Sequence, residues 1–366
     1  MIGRAVACPD KFRSSLTAAE AAAAIARGLR TAGFSEVVEL PLADGGEGTL
    51  DALVAAKGGS RRTTRVAGPL GDPVDAEWAV LADGTGVVEM ARASGRALVT
   101  GRPDPLKAST RGTGELIAAA ARAGVRRIVV GVGGSATTDG GLAAVEALGW
   151  SLAGLDVVVA CDDVGTAFTA SAEVYGPQKG ASAAQVALLT RRLEQLAALY
   201  RDRTGVDVTT LEGAGAAGGL AGGLAAIGAR LEPGFDVVAH AAGLEFELEG
   251  AELVVTGEGK LDATSFAGKV AGSVLAWAND LGVPHRAVIA GQVTEEGRQE
   301  AQASTSAQDG ADGRRSRPSE EASVLGDVLV LALTDRVWQA GEAFSRAATL
   351  VEESAIEAGR RALGLD

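Results

Sequence analysis

Two periodicities alternate along this chain. Short apolar runs at Arg4–Cys8, Val37–Leu40, Ile128–Val130, Val157–Ala160, Ala251–Val255 and Arg286–Ala290 have the length and composition of buried strands. Between them lie helical stretches at Ala18–Leu29, Leu50–Ala56, Leu116–Ala123 and Ala183–Tyr200. Thr17 followed by Glu20 is a capping-box signature at the first of these. From Arg61 to Val88 the pattern shifts to the short strands Thr63–Val66, Ala76–Leu81 and Gly86–Glu89, separated by Gly-Pro and Asp-Gly turns. That spacing predicts antiparallel pairing and a second domain. Residues 295–323, rich in Glu, Gln, Ser, Asp and Gly, have no apolar periodicity and read as a disordered insertion. Val324–Leu333 then returns to strand, and Trp338–Leu363 reads as a closing amphipathic helix.

The strands share a habit: they empty into polar, charge-bearing loops that lead to helices. In a parallel sheet such loops gather at the carboxyl edge, where ligands bind. The stretch Ile128–Gly141 states it most clearly, with Gly131, Gly133, Gly134 and Gly140 set among Ser135, Thr137, Thr138 and Asp139. Glycine admits positive φ and close approach to main-chain amides. A strand, such a loop and a helix from Leu142 suit an anion. Gly213–Gly223 is also glycine-rich and reads equally as a hinge or as close packing beside a ligand.

Bulk properties narrow the choice. At 366 residues two domains are the better expectation, and the 47% apolar content is enough for a sizeable core. A net charge of −13 disfavours nucleic acid, which needs clustered Lys and Arg. Cys8 and Cys161 form no metal or disulfide pattern. No run reaches the roughly 20 apolar residues of a membrane span, and the start lacks a signal-like region. A cytoplasmic protein without membrane partners is expected. His240 and His285, the two histidines, lie outside polar clusters, so chemistry must rest on carboxylates, Lys, Arg and backbone amides.

Those groups are the ones phosphoryl transfer uses: amides and cations for phosphate, carboxylates for a divalent metal and for the accepting hydroxyl. The strand-end loops hold Lys11, Arg13, Asp44, Glu47, Asp139, Asp162, Lys179, Glu258, Lys260 and Asp262. No GxxxxGK[ST] occurs, which excludes a Walker-type loop. Gly131-x-Gly133-x-x-Ala136 satisfies a loose dinucleotide pattern, but neither Asp156 nor Asp162 ends a strand at the spacing a ribose-binding acid requires.

Seven ordered segments resemble the bacterial glycerate kinase family: Pro9–Leu16, Ala43–Thr49, Arg111–Ile117, Gly131–Gly141, Tyr175–Ala181, Gly213–Gly219 and Thr256–Asp262. The resemblance implies ATP- and Mg2+-dependent phosphorylation of D-glycerate, usually to 2-phosphoglycerate. It implies an α/β fold of two domains with the active site in the cleft between them. A flavodoxin-like parallel-sheet domain would be built from both chain ends, 1–62 and 234–366, around an inserted mixed α/β domain, 63–233. Within it, Asp44 or Asp139 would orient or deprotonate the accepting hydroxyl. Lys11, Arg13, Lys179 and Lys260 would neutralise phosphates and the substrate carboxylate. Gly133, Gly134, Ser135, Thr137 and Gly257 would hold the nucleotide, and Glu258 and Asp162 the Mg2+. A homodimer is left open.

Three departures stand out. Arg13 replaces the usual Lys, Asp163–Ala167 replaces an Asn-Pro-Leu-like segment, and the connection from Leu148 to Val157 is short. They keep one rival in view, an impaired member that binds a nucleotide or hydroxy acid as a sensor; the loose dinucleotide pattern leaves a lesser one, a nicotinamide-dependent dehydrogenase.

Overall fold

The structure is a computed structural model that describes residues 3–12, 15–303 and 328–365. Its strands, in chain order, are β1 (Arg4–Ala7), β2 (Glu36–Glu39), β3 (Gly59–Ala67), β4 (Pro73–Leu81), β5 (Gly86–Glu89) and β6 (Arg127–Gly131). They continue with β7 (Asp156–Cys161), β8 (Arg230–Pro233), β9 (Leu253–Leu261), β10 (His285–Val293) and β11 (Leu329–Ala332). The chain forms two compact units, Met1–Ala43 with Ala239–Asp366, and Asp44–Val238, each around its own sheet.

In the first unit every strand pair is parallel and the order is β11-β10-β9-β1-β2. Counted within the unit this is the flavodoxin-like order 2-1-3-4-5. Side chains alternate across the sheet: Ala5, Ala7, Leu253, Val255, Ala287 and Ile289 share one core with the helices Ala18–Ala32 and Ala347–Ala362. Val288 and Ala290 enter another with Ala271 and Leu275 of the helix Val270–Asp280. Burial on both faces is why these strands read as unbroken apolar runs. The Thr17–Glu20 capping box forms as expected.

Two sequence expectations change here. The closing helix is two, Ala340–Ser345 and Ala347–Ala362, separated at Arg346 (φ −110°, ψ 14°). Glu295–Ala303 is a helix that buries Ala301, so this part of 295–323 is ordered; 304–323, and the start of the predicted strand at 324–327, lie outside the described residues.

The second unit carries the sheet β3-β4-β5-β6-β7-β8, antiparallel from β3 to β5 and parallel from β5 to β8. The helix Thr49–Lys57 lies within this unit, although the sequence pattern changes only at Arg61. It packs on β4 and β5, and Gly48 gives it no side-chain cap. Buried Glu89, at the end of β5, caps it instead by accepting from the amides of Gly48 (2.9 Å) and Leu50 (2.8 Å).

The glycine-rich stretch 213–223 is close packing. A Cβ on Gly218 (φ +70°) would fall 2.1 Å from the Thr137 carbonyl oxygen. Among the described residues no helix is long and apolar enough to cross a membrane.

Candidate active site

The loop that follows β6 is held from three sides. Gly133 donates its amide to the Gly45 carbonyl (3.3 Å), and Arg96 donates its own to the Gly134 carbonyl (2.9 Å). Gly95 and Ser135 form an isolated antiparallel bridge. The fit leaves no room for side chains: a Cβ on Gly133 would lie 2.4 Å from Gly46 Cα and 3.0 Å from Asp162 Oδ2. One on Gly134 would lie 2.6 Å from Glu47 Oε1. The loop at Asp44–Glu47, the glycine loop and the end of β7 are therefore one site in the second unit.

Two carboxylates meet there. Asp44 Oδ1 accepts from the Gly46 amide at 3.1 Å. The carboxyl of Asp162 is pushed up to about 6, chiefly by burial and next by the charge of Asp44, while Lys179 pulls it down. Lys179 itself is 5% exposed, and its ammonium donates to the Thr137 carbonyl at 2.6 Å. Burial pushes it down to about 7; Asp162 works against that shift, Arg96 adds to it and Asp139 opposes it. A desolvated cation beside an acid pair and a glycine loop is an arrangement whose charges act at low dielectric.

Asp139 sits differently. Its Oδ2 accepts from the amide (2.9 Å) and hydroxyl (2.8 Å) of Thr110, and its Oδ1 from the Gly141 amide (3.2 Å). Burial raises its pKa and these hydrogen bonds lower it. The helix that follows, Leu142–Ala147, has its first amides occupied as well, since Ala144 donates to Thr110 Oγ1 at 3.2 Å. Of the amides on which the expected anion site at this helix start would draw, those of Gly141 and Leu142 go to Asp139 and that of Ala144 to Thr110.

The other predicted residues fall as follows. Ser135 and Thr137 are buried in the glycine loop, and Thr137 Oγ1 has no partner among the described residues. Lys11, Gly257, Glu258 and Lys260 belong to the first unit. Lys11 donates its amide to Asp10 Oδ1 at 2.7 Å. Gly257 is inside the sheet, where its carbonyl accepts from the Asp10 amide at 2.8 Å. Lys260 is exposed and pairs with Asp262 at 3.0 Å. Glu258 is half-buried, with an Oε1 that has no hydrogen-bond partner among the described residues. Burial pushes its carboxyl up to about 7; a hydrogen bond from Ser265 and the charge of Lys269 pull it down, and Asp10 and Asp262 add to the rise. Arg13 lies outside the described residues.

Arg96 was missed in the sequence, where no charge pattern marks it; the Gly95–Ser135 bridge and its amide's hydrogen bond to Gly134 bring it here. The divergent turn after Asp162 is well built: Asp163 Oδ1 accepts from the amides of Gly165 (2.7 Å) and Thr166 (3.2 Å), and its Oδ2 from the hydroxyls of Thr166 and Tyr175.

A divalent cation can be weighed against this geometry. Among the described residues no three His, Cys, Asp or Glu side chains are grouped to hold one unaided. Asp162 beside Asp44 still fits Mg2+, which takes one or two carboxylates and completes its shell with water and substrate phosphates. Their repulsion in a buried place is what such a cation would relieve. The dinucleotide pattern fails structurally, because the loop does not open directly into a helix and the strand order is sequential.

Comparison with known proteins identifies the family. A model of the glycerate kinase family matches residues 5–156 and 151–311. Glycerate 2-kinase of Escherichia coli (strain K12) is 40% identical over 329 residues, covering 80% of this chain and 86% of its own. Glycerate kinase of Bacillus subtilis (strain 168) is 39% identical over 315 residues, covering 76% and 82%. Among solved structures, a protein provisionally named glycerate kinase 2 from Salmonella typhimurium LT2 superposes with a TM-score of 0.79 at 33% identity, over 100% of this chain and 99% of that one.

Proposed function

Since the chain belongs to the glycerate kinase family, we propose that it phosphorylates D-glycerate with ATP and Mg2+, giving 2-phosphoglycerate. The observation that carries this reading is Lys179, a cation 5% exposed with Nζ on the Thr137 carbonyl, next to Asp162 and the glycine loop. Such an ammonium is placed for the charge that develops on a transferring phosphoryl group.

In the reaction the substrate hydroxyl oxygen bonds to the γ-phosphorus as the bond to the β-phosphate oxygen breaks and ADP leaves. Asp44, half-buried at the mouth of its loop, takes the hydroxyl proton. Asp162 would hold Mg2+, which when bound supplies charge neutralisation at the phosphates. Asp139 positions the loop through Thr110 and Gly141. For the first unit the resemblance to the family assigns Lys11 and Lys260 to anionic groups and Glu258 to Mg2+. Cytoplasmic residence belongs to the same reading; Cys8 and Cys161 are buried and unpaired.

The test is a coupled assay for ADP release with D-glycerate, followed by identification of the product isomer. ADP release with 2-phosphoglycerate is the expected result. A melting shift with ATP but no ADP release would replace the reading with that of a binding protein.

A further inference from the structure

Between the segment Pro105–Ser109, the start of the helix Leu142–Ala147 and the helix Ala183–Thr204 lies a pocket that the reaction above does not use. Its volume is about 450 Å3, within the range of roughly 300–1,000 Å3 usual for small-molecule sites. Its walls are aliphatic, with Leu106, Leu142, Leu189, Leu193 and Leu196 among them. Arg192 fixes one wall to the next, its guanidinium donating to the Leu106 carbonyl at 3.2 Å. Thr138 also lines it, is 2% exposed, and its Oγ1 has no hydrogen-bond partner among the described residues. A buried hydroxyl without a partner is costly unless something supplies one.

We propose that this pocket takes the purine base of the nucleotide. The aliphatic walls suit the faces of a flat heteroaromatic ring, and the two cations that line it are engaged by the protein, Lys107 with Asp104 at 3.4 Å and Arg192 with the Leu106 carbonyl at 3.2 Å. The Thr138 hydroxyl can donate to a ring nitrogen or accept from an exocyclic amine. Position agrees as well. Thr138 follows directly on Thr137, whose carbonyl holds the Lys179 ammonium at 2.6 Å, so the pocket opens beside the residue that anchors the buried cation. The assignment rests on the kinase reading for its ligand, and binding measurements separate the two.

Ala143 lines the pocket and is only partly buried, so a larger side chain there fills the space at the base. With Ala143→Phe, the KM for ATP should rise at least tenfold, while kcat and the KM for D-glycerate stay within about twofold. Calorimetry should show ADP affinity falling by the same factor and that of inorganic tripolyphosphate, which has no base, unchanged. Ala143→Leu provides the smaller step should the phenylalanine variant melt early, and Thr138→Val should weaken ADP several-fold without affecting tripolyphosphate. Unchanged ADP affinity in all three folded variants overturns the proposal, as does equal weakening of ADP and tripolyphosphate. If the wild-type protein releases no ADP from ATP and D-glycerate, the kinase reading fails. A base-dependent loss of ADP affinity in the variants would then still support the pocket.

Discussion

Asp139 and Thr110 are joined twice, the carboxylate Oδ2 accepting from the Thr110 amide at 2.9 Å and from its hydroxyl at 2.8 Å. With Gly141 donating to Oδ1 at 3.2 Å, both oxygens are occupied by the protein itself. A positioning role is therefore the one expected of the motif's most conspicuous acid. In Asp139→Asn an NH2 must face one of these donors, leaving it unsatisfied at a cost of about 1–3 kcal/mol. Urea unfolding should register that loss. An unaltered midpoint would remove Asp139 from the positioning role.

Asp44 should behave in the opposite way. One of its oxygens accepts a single hydrogen bond, from Gly46, which an amide oxygen can also accept. Asp44→Asn should therefore keep its melting temperature within a degree or two while turnover falls on the order of a hundredfold or more, the scale of a lost general base. Near-normal kcat in the folded variant would move the role to another carboxylate.

Lys179 has no room for a larger head group, being 5% exposed and bound to Thr137. Lys179→Met should lower kcat on the order of a hundredfold to a thousandfold, as expected when a charge that stabilises the transition state is removed. Lys179→Arg should restore little, since the planar guanidinium demands a different geometry. Recovery of most activity with arginine would mean that charge alone matters and that the buried carbonyl contact is incidental.

Much of this was legible because strand, loop and helix are local. Period-two and all-apolar runs marked the strands, the Thr17–Glu20 pair marked a helix start, and the acids and cations of the loops were visible as residue types. What could not be read depends on pairing between distant segments. Arg96 enters the site through the Gly95–Ser135 bridge and its own amide's hydrogen bond to the Gly134 carbonyl. Glu89 looked like an ordinary strand end and proves to cap a helix begun some forty residues earlier. Thr110 turned the obvious acid, Asp139, into a clamp. Gly257, read as a ligand-contacting glycine, lies within β9, where a Cβ would fall 2.4 Å from the Ile289 carbonyl oxygen.

Glu258 supplies a prediction that needs no substrate. Its carboxyl titrates at about 7 in the folded chain, raised chiefly by burial from the 4.5 of an unperturbed glutamate. Between those values the native state keeps a proton that the unfolded chain has already released. Stability therefore falls as pH rises through this window, and the penalty is complete above about 7. Glu258→Gln cannot titrate, so its melting temperature relative to the wild type should climb from pH 5 to pH 8 and then level off. Asp162, pushed up to about 6, titrates in the same interval but is common to both proteins and cancels in the difference. Parallel melting curves across that range would show that Glu258 is ionised in the folded chain well below neutrality, so that burial does not govern it.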